Sequence, residues 1–148
     1  MTVYVKGLIA RLDTDQTPSG RIYTSTEMQN AINESKVSLD NRQILSELFP
    51  NERSSFVNLD NVGGVVTELY VENGGLYGTV ELLDTTSAKR YSDIFSNSNS
   101  QFMLSFRAYG TLTMLGTSTY GTDLKVITVD IMPYDFSDED LIATAIME

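Results

Sequence analysis

The sequence predicts an α+β domain in which hairpin-forming strands are accompanied by short, capped helices. One observation is the run Val65-Val66-Thr67-Glu68-Leu69-Tyr70-Val71, the turn Asn73-Gly74-Gly75 and the run Leu76-Tyr77-Gly78-Thr79-Val80-Glu81-Leu82, which together have the pattern of an antiparallel hairpin. Another is a set of helix-start signals: Thr24 with Glu27 three residues on, Asp84 or Thr85, and Ser137 followed by three acidic residues. Size agrees, because 148 residues fit one domain over 1–148 and can bury about two thirds of the surface the unfolded chain exposes.

Taken in order, Val3, Val5 and Leu8 to Leu12 form an opening strand, and Asp13 to Gly20, ending in Pro18-Ser19-Gly20, is a loop. Thr24 caps a short amphipathic helix with Met28, Ala31 and Ile32 on its buried face, ending near Ser35. Ile44 to Phe49 is a strand stopped by Pro50, and Asn51 to Asn61 a long polar loop. In the hairpin, period-2 alternation places Val65, Leu69 and Val71 on one face and Glu68, Tyr70 and Glu72 on the other. A helix then runs through Phe95, with Ala88, Tyr91, Ile94 and Phe95 on one side, until Ser96-Asn97-Ser98-Asn99-Ser100 breaks it. Phe102 to Tyr109 is a strand, a Gly- and Thr-rich connection follows, and Leu124 to Met132 is a β-branched strand ending at Pro133. Ser137 with Asp138, Glu139 and Asp140 starts a last helix burying Leu141, Ile142, Ala145 and Ile146.

Composition excludes several function classes. Ten Lys and Arg against twenty Asp and Glu give a net charge of −10, which repels phosphate backbones and anionic lipid surfaces, so neither nucleic acid nor membrane is an expected partner. The chain has no cysteine and no histidine, which removes disulfides, thiolate nucleophiles and the usual zinc ligands. No metal and no cofactor are expected. Met1-Thr2-Val3-Tyr4-Val5-Lys6-Gly7 lacks the build of a secretory leader.

Four segments, in order, resemble the prohead core proteases of tailed phages, serine proteases that process scaffold and capsid proteins during head maturation. Gly20-Arg21-Ile22-Tyr23 resembles that family's Asn-Gly-Arg-Ile-Tyr-Pro stretch. Ser46-Glu47-Leu48-Phe49-Pro50 resembles its Gly-Glu-Leu-X-His-Pro segment. The third is the central hairpin with Leu82-Leu83-Asp84-Thr85, and the fourth is Leu104-Ser105-Phe106-Arg107-Ala108-Tyr109-Gly110, similar to the nucleophile strand Val-Ser-Ser-Arg. The likeness runs from about Gly20 to Asp130 and implies a strongly bent, mostly antiparallel sheet or partial β-barrel with a few flanking helices. It also implies that Ser105 stands at the nucleophile position, Phe49 at the place of the catalytic histidine, and Gly64 at that of a second histidine.

A serine hydroxyl needs an adjacent base, most often an imidazole, and phenylalanine can neither take nor return a proton. Lys6, Lys36, Lys89 and Lys125 sit in no recognisable Ser-Lys dyad motif. Arg107 would supply an oxyanion-side charge in an enzyme; its plainer role is to pair with a carboxylate. Leu12-Asp13-Thr14 and Leu83-Asp84-Thr85 invite an aspartic-dyad reading, but neither is followed by the glycine such sites need, and Asp84 serves better as a helix cap. Asp138-Glu139-Asp140 suits a helix first turn rather than a calcium loop. Asn73-Gly74-Gly75 is a turn, not a phosphate cradle. Tyr120 and Tyr134, beside glycine or proline, are the expected exposed tyrosines, and the six methionines are expected mainly as core filling.

The expectation is therefore a catalytically inactive prohead-protease-like protein with no catalytic residues, Ser105 being a vestigial nucleophile. It would be kept as an auxiliary or decoration protein of a tailed-phage capsid, in multiple copies per particle. Its partner would be the major capsid protein or another head protein, and its location the virion, after assembly in the host cytoplasm. The alternative is an active maturation protease that uses Ser105 and a carboxylate or lysine base to cleave scaffold and capsid proteins. A third expectation, an unrelated small binding module, carries a fold unlike the prohead proteases, with Ser105 and Phe49 far apart.

Overall fold

The computed structural model describes residues 2–17, 19–97 and 99–148; Met1, Pro18 and Ser98, which belong to the expected N-terminus, first loop and Ser/Asn run, lie outside the described residues. Strand β1 (Val3–Arg11) is followed by β2 (Arg21–Ile22), α1 (Ser25–Asp40), β3 (Leu45–Glu47), β4 (Val62–Glu72) and β5 (Gly75–Leu82). Then come α2 (Thr86–Arg90), α3 (Ser92–Ser96), β6 (Phe102–Leu115), β7 (Ser118–Pro133) and β8 (Thr144–Met147). The strands make one mixed sheet in the order β2-β7-β3-β4-β5-β1-β8, with β6 added on β7. β2 and β3 run parallel to β7, and the longer pairings are antiparallel. The sheet curls into a half-barrel whose ends are tied by an antiparallel bridge between Met103 and Ile142. The expected bent, mostly antiparallel sheet with flanking helices is present.

The core fills the inside of this curl. Val5, Val66, Leu76, Val80, Leu104, Val129 and Ile131 line it from the strands, and Met28, Ala31 and Ile32 close it from α1. Met28 alone, fully buried, contributes about 1.5–3 kcal/mol by leaving water. Thr24 caps α1 by accepting from the Glu27 N–H, as expected, but the helix runs on to Asp40 because nothing after Ser35 breaks it. Asn73 and Gly74 both have positive φ (47° and 74°), the type I′ geometry that joins twisted strands.

Several expectations are corrected. The register of β4 moves between Val66 and Glu68, so a bulge at Thr67 puts Val66, rather than Val65, on the core face with Leu69 and Val71. The helix expected through Phe95 breaks at Tyr91 into two single turns, and Thr85, not Asp84, caps the first by accepting from the Ala88 N–H. The Gly- and Thr-rich connection is strand: β6 continues to Leu115, turns at Gly116-Thr117 and returns as β7. Gly116, with φ 66°, occupies the first turn position that a type II′ hairpin reserves for glycine.

The last helix is absent. Its first turn is a 3₁₀ turn, Glu139–Leu141, capped by Asp138, after which Thr144–Met147 pairs with Val3–Lys6 of β1. An open edge on β1 offers four residues of ladder, and that tertiary pairing outweighs the helical spacing of the apolar residues. Tyr120 and Tyr134 are half-buried, while Tyr70 and Tyr109 are the exposed tyrosines, at 42% and 60%. Of the methionines, Met28 and Met103 are core. No described helix is long and apolar enough to cross a membrane.

Candidate functional site

On β6, Phe102, Leu104 and Phe106 alternate toward the core, so Met103, Ser105 and Arg107 turn to the opposite face. Across the ladder, Ser105 stands opposite Asp130 and Arg107 opposite Thr128. That second face is polar yet buried: Arg107 is 7% exposed, Glu47 1%, Thr128 and Asp130 0%. The loop after Pro50 covers it.

Buried charge is costly unless it is paired and hydrogen-bonded, and the bonding here is close to complete. The Arg107 guanidinium donates to Glu47 Oε2 (2.5 Å), Asp130 Oδ1 (3.1 Å), Thr128 Oγ1 (2.9 Å) and the backbone carbonyls of Ser54 and Phe56 (3.0 and 3.2 Å). Asp130 Oδ1 also accepts from the Glu47 N–H, and Glu47 accepts from the Asn58 N–H and Asn61 Nδ2. Burial works against the charged form of Arg107, but the hydrogen bonds to Glu47 and Asp130 outweigh it and raise its pKa above the ordinary arginine value. Arg53 adds the second cation: its Nε donates to Asp130 Oδ2 (3.1 Å), Nη1 to Ser105 Oγ (2.8 Å), and Nη2 to the carbonyls of Ser105 and Phe106 (both 3.2 Å). Two carboxylates thus face two guanidiniums, and charge balances.

Ser105 stands at the rim of this network and lines a groove of about 750 Å³ together with residues of β1 and β6, Leu141, Arg11, Arg21 and Arg53. The structure brings Ser105 and Arg107 to one face but leaves Phe49 out. The Phe49 ring packs edge-on to Tyr91 (centroids 4.9 Å) and stacks on Phe95 (6.1 Å), which meets Phe102. It therefore belongs to the core side of the sheet. Gly64 is also closed to a side chain: a Cβ there would lie 2.5 Å from Val80 Cγ1 and 3.1 Å from the Glu81 carbonyl.

The other candidates have structural partners. Asp13 accepts from the N–H and hydroxyl of Ser25, which lowers its pKa from 3.8; Asp84 is exposed and pairs with Lys89 at 3.4 Å. Among the described residues the two aspartates thus have separate partners. Asp138 and Asp140 both hold Arg11, at 2.6 Å each. Lys125 pairs with Glu34, and none of the four lysines lines the Ser105 groove. Among the described residues no group of three metal-ligating side chains occurs.

A nucleophilic serine needs a base within about 2.6–3.2 Å of its hydroxyl. Ser105 Oγ instead accepts from a guanidinium, and no side-chain acceptor is within hydrogen-bond reach of it among the described residues. Asp130, the nearest carboxylate across the ladder, has both oxygens engaged. Sequence reasoning missed Glu47, Asp130 and Arg53. The first two left a signal, an acid embedded in each of the apolar runs Ile44–Phe49 and Val126–Met132, since a carboxylate there is buried only if paired. Arg53, in a polar loop, left none.

The chain is similar in structure to the capsid assembly protease of bacteriophage T4, gp21, with a TM-score of 0.73 and 14% sequence identity, over 88% of this chain and 82% of that one. At that identity the likeness shows the fold, a prohead-protease-like half-barrel, and it removes the expectation of an unrelated fold. No family model matches the chain, and no curated protein matches it in sequence.

Proposed function

We propose that this chain is a catalytically inactive, prohead-protease-like protein that serves as an auxiliary or decoration protein of a tailed-phage capsid. It binds the major capsid protein or another head protein, in many copies, and resides in the virion after assembly in the host cytoplasm. The observation that carries the reading is the state of Ser105: its hydroxyl is held by Arg53 at 2.8 Å and hydrogen-bonds to no side-chain acceptor among the described residues, in a chain without histidine. Losing a triad base leaves only the residual rate from binding and oxyanion stabilisation, orders of magnitude below an intact enzyme. A fold once used to grip head proteins retains a groove when chemistry is lost, and a groove supports a lasting contact.

One observation favours the second reading, an active protease: Asp130 lies directly opposite Ser105 in the ladder. For it to act as base, Arg53 would have to leave. Incubation of the purified chain with capsid and scaffold chains tests both readings. The expected result is no cleavage, with Ser105→Ala indistinguishable from the parent and Phe49→His equally inert because that ring faces the core. Site-specific cleavage lost in Ser105→Ala overturns the proposal. Finished particles should hold the chain at high copy number; a maturation protease would have been cleaved and lost.

A further inference from the structure

The far end of the β6–β7 hairpin forms an arm that β2 holds to the body on its β7 side, and its composition differs from the rest of the surface. Residues 108–122 carry no charge, in a chain of net charge −10. Tyr109, Leu112, Met114 and Leu115 are exposed at 60%, 53%, 68% and 65%. Among the described residues, four of the ten exposed large apolar side chains therefore fall within seven positions. Along Thr111–Leu115 β6 pairs with β7 and with no other described strand, so its outer edge is a row of free backbone donors and acceptors. Natural edges of this kind are blunted by lysine, proline or inward charge, and this one has none of them. Such an edge is built to be covered.

The turn fixes which groups are free. In a two-residue hairpin the flanking residues, here Leu115 and Ser118, exchange hydrogen bonds, so the backbone groups of Leu115, Thr113 and Thr111 face β7 and those of Leu112 and Met114 face outward. Two antiparallel edges of this kind match each other about a two-fold axis at Thr113: Leu112 of one copy lies opposite Met114 of the other and bonds through the outward groups. The side chains then form two apolar cross-strand pairs, and the closed two-fold leaves no further edge to propagate. Symmetry selects the occupant: a second copy offers the same outward groups and the same Leu112 and Met114 side chains in matching register. Residues 108–122 bring no charge to that contact, so the repulsion between two copies at −10 each is not concentrated there.

We propose that the Thr111–Leu115 edge is a dimerisation edge, filled by the same segment of a second copy of this chain in antiparallel register about Thr113. Sedimentation velocity of the intact chain from about 1 to about 100 µM is expected to show a monomer–dimer equilibrium. Leu112→Lys with Met114→Lys sets like charges opposite one another and is expected to weaken association at least about tenfold. Leu112→Lys with Met114→Glu sets opposite charges across the same pairs and restores it. Circular dichroism and melting of each variant show whether the body remains folded. Because the chain has no cysteine, Thr113→Cys should form an intermolecular disulfide on mild oxidation, across a non-hydrogen-bonded pair whose Cα atoms lie about 4.5 Å apart; Thr111→Cys should not. A chain that stays monomeric throughout, a dimer indifferent to the two lysines, or equal cross-linking at 111 and 113 overturns the proposal.

Discussion

Arg107→Ala removes the centre of the buried network. The side chain is 7% exposed, its partners Glu47 and Asp130 are 1% and 0% exposed, and it makes five hydrogen bonds. Breaking a buried pair by deleting one partner costs about 3–5 kcal/mol, because the opposite charge stays buried without compensation. Here Arg53 still holds Asp130 and two Asn groups still hold Glu47, which lowers the cost. The freed carbonyls of Ser54 and Phe56 raise it by about 1 kcal/mol each if they remain dry. The expected loss is about 3–5 kcal/mol, a large part of the roughly 5–15 kcal/mol that holds a domain together. With a urea slope of about 1–3 kcal/mol/M, the midpoint should fall by about 2 M. Arg107→Lys keeps the charge but not the fork, and should lie between the two. A loss below about 1 kcal/mol for Arg107→Ala, with unchanged slope, would refute the claim that the network holds this face of the sheet.

Two further outcomes are expected. Ser46 Oγ is buried with no hydrogen-bond partner among the described residues, so Ser46→Ala should raise stability by about 1 kcal/mol, seen as a higher melting temperature; a fall of that size shows that the hydroxyl has a partner. The Arg11 guanidinium holds the Asp138 pKa below 3.8. A depressed folded-state pKa contributes stability that is present above the ordinary value and lost as pH falls through the folded one. Urea midpoints from about pH 5 down to about pH 2 should therefore fall less steeply for Asp138→Asn than for the parent, by under about 1 kcal/mol for so accessible a pair. Parallel curves would assign the acid loss to other carboxylates.

What the sequence disclosed follows the range of the forces involved. The Asn73-Gly74 hairpin and the Thr24 cap were legible because their causes lie within a few residues, whereas the next cap was narrowed only to Asp84 or Thr85. The segment from Ser137 was misread because a helical spacing of Leu141, Ile142, Ala145 and Ile146 carries no information about the open edge of β1, almost the whole chain away. The arm was taken for a connection because glycine and threonine suit loops as well as strands, and only the two-residue turn at Gly116 distinguishes them. At the candidate site, Ser105 and Arg107 were singled out through the family resemblance, which gave no sign that the Phe49 ring turns to the core. Arg53 is invisible locally: nothing in Asn51 to Asn61 announces that one cation will fold back onto Ser105 and Asp130.

The ladder between β1 and β8, which also pairs Thr2 with Glu148 through two backbone bonds, bears on biosynthesis. A ribosome releases β1 early and residues 144–147 late, so β1 waits with one flank bare until the far segment arrives. Stalled or clipped nascent chains would present that flank to any passing strand. Prompt arrival of residues 144–147 at that flank would therefore limit mispairing.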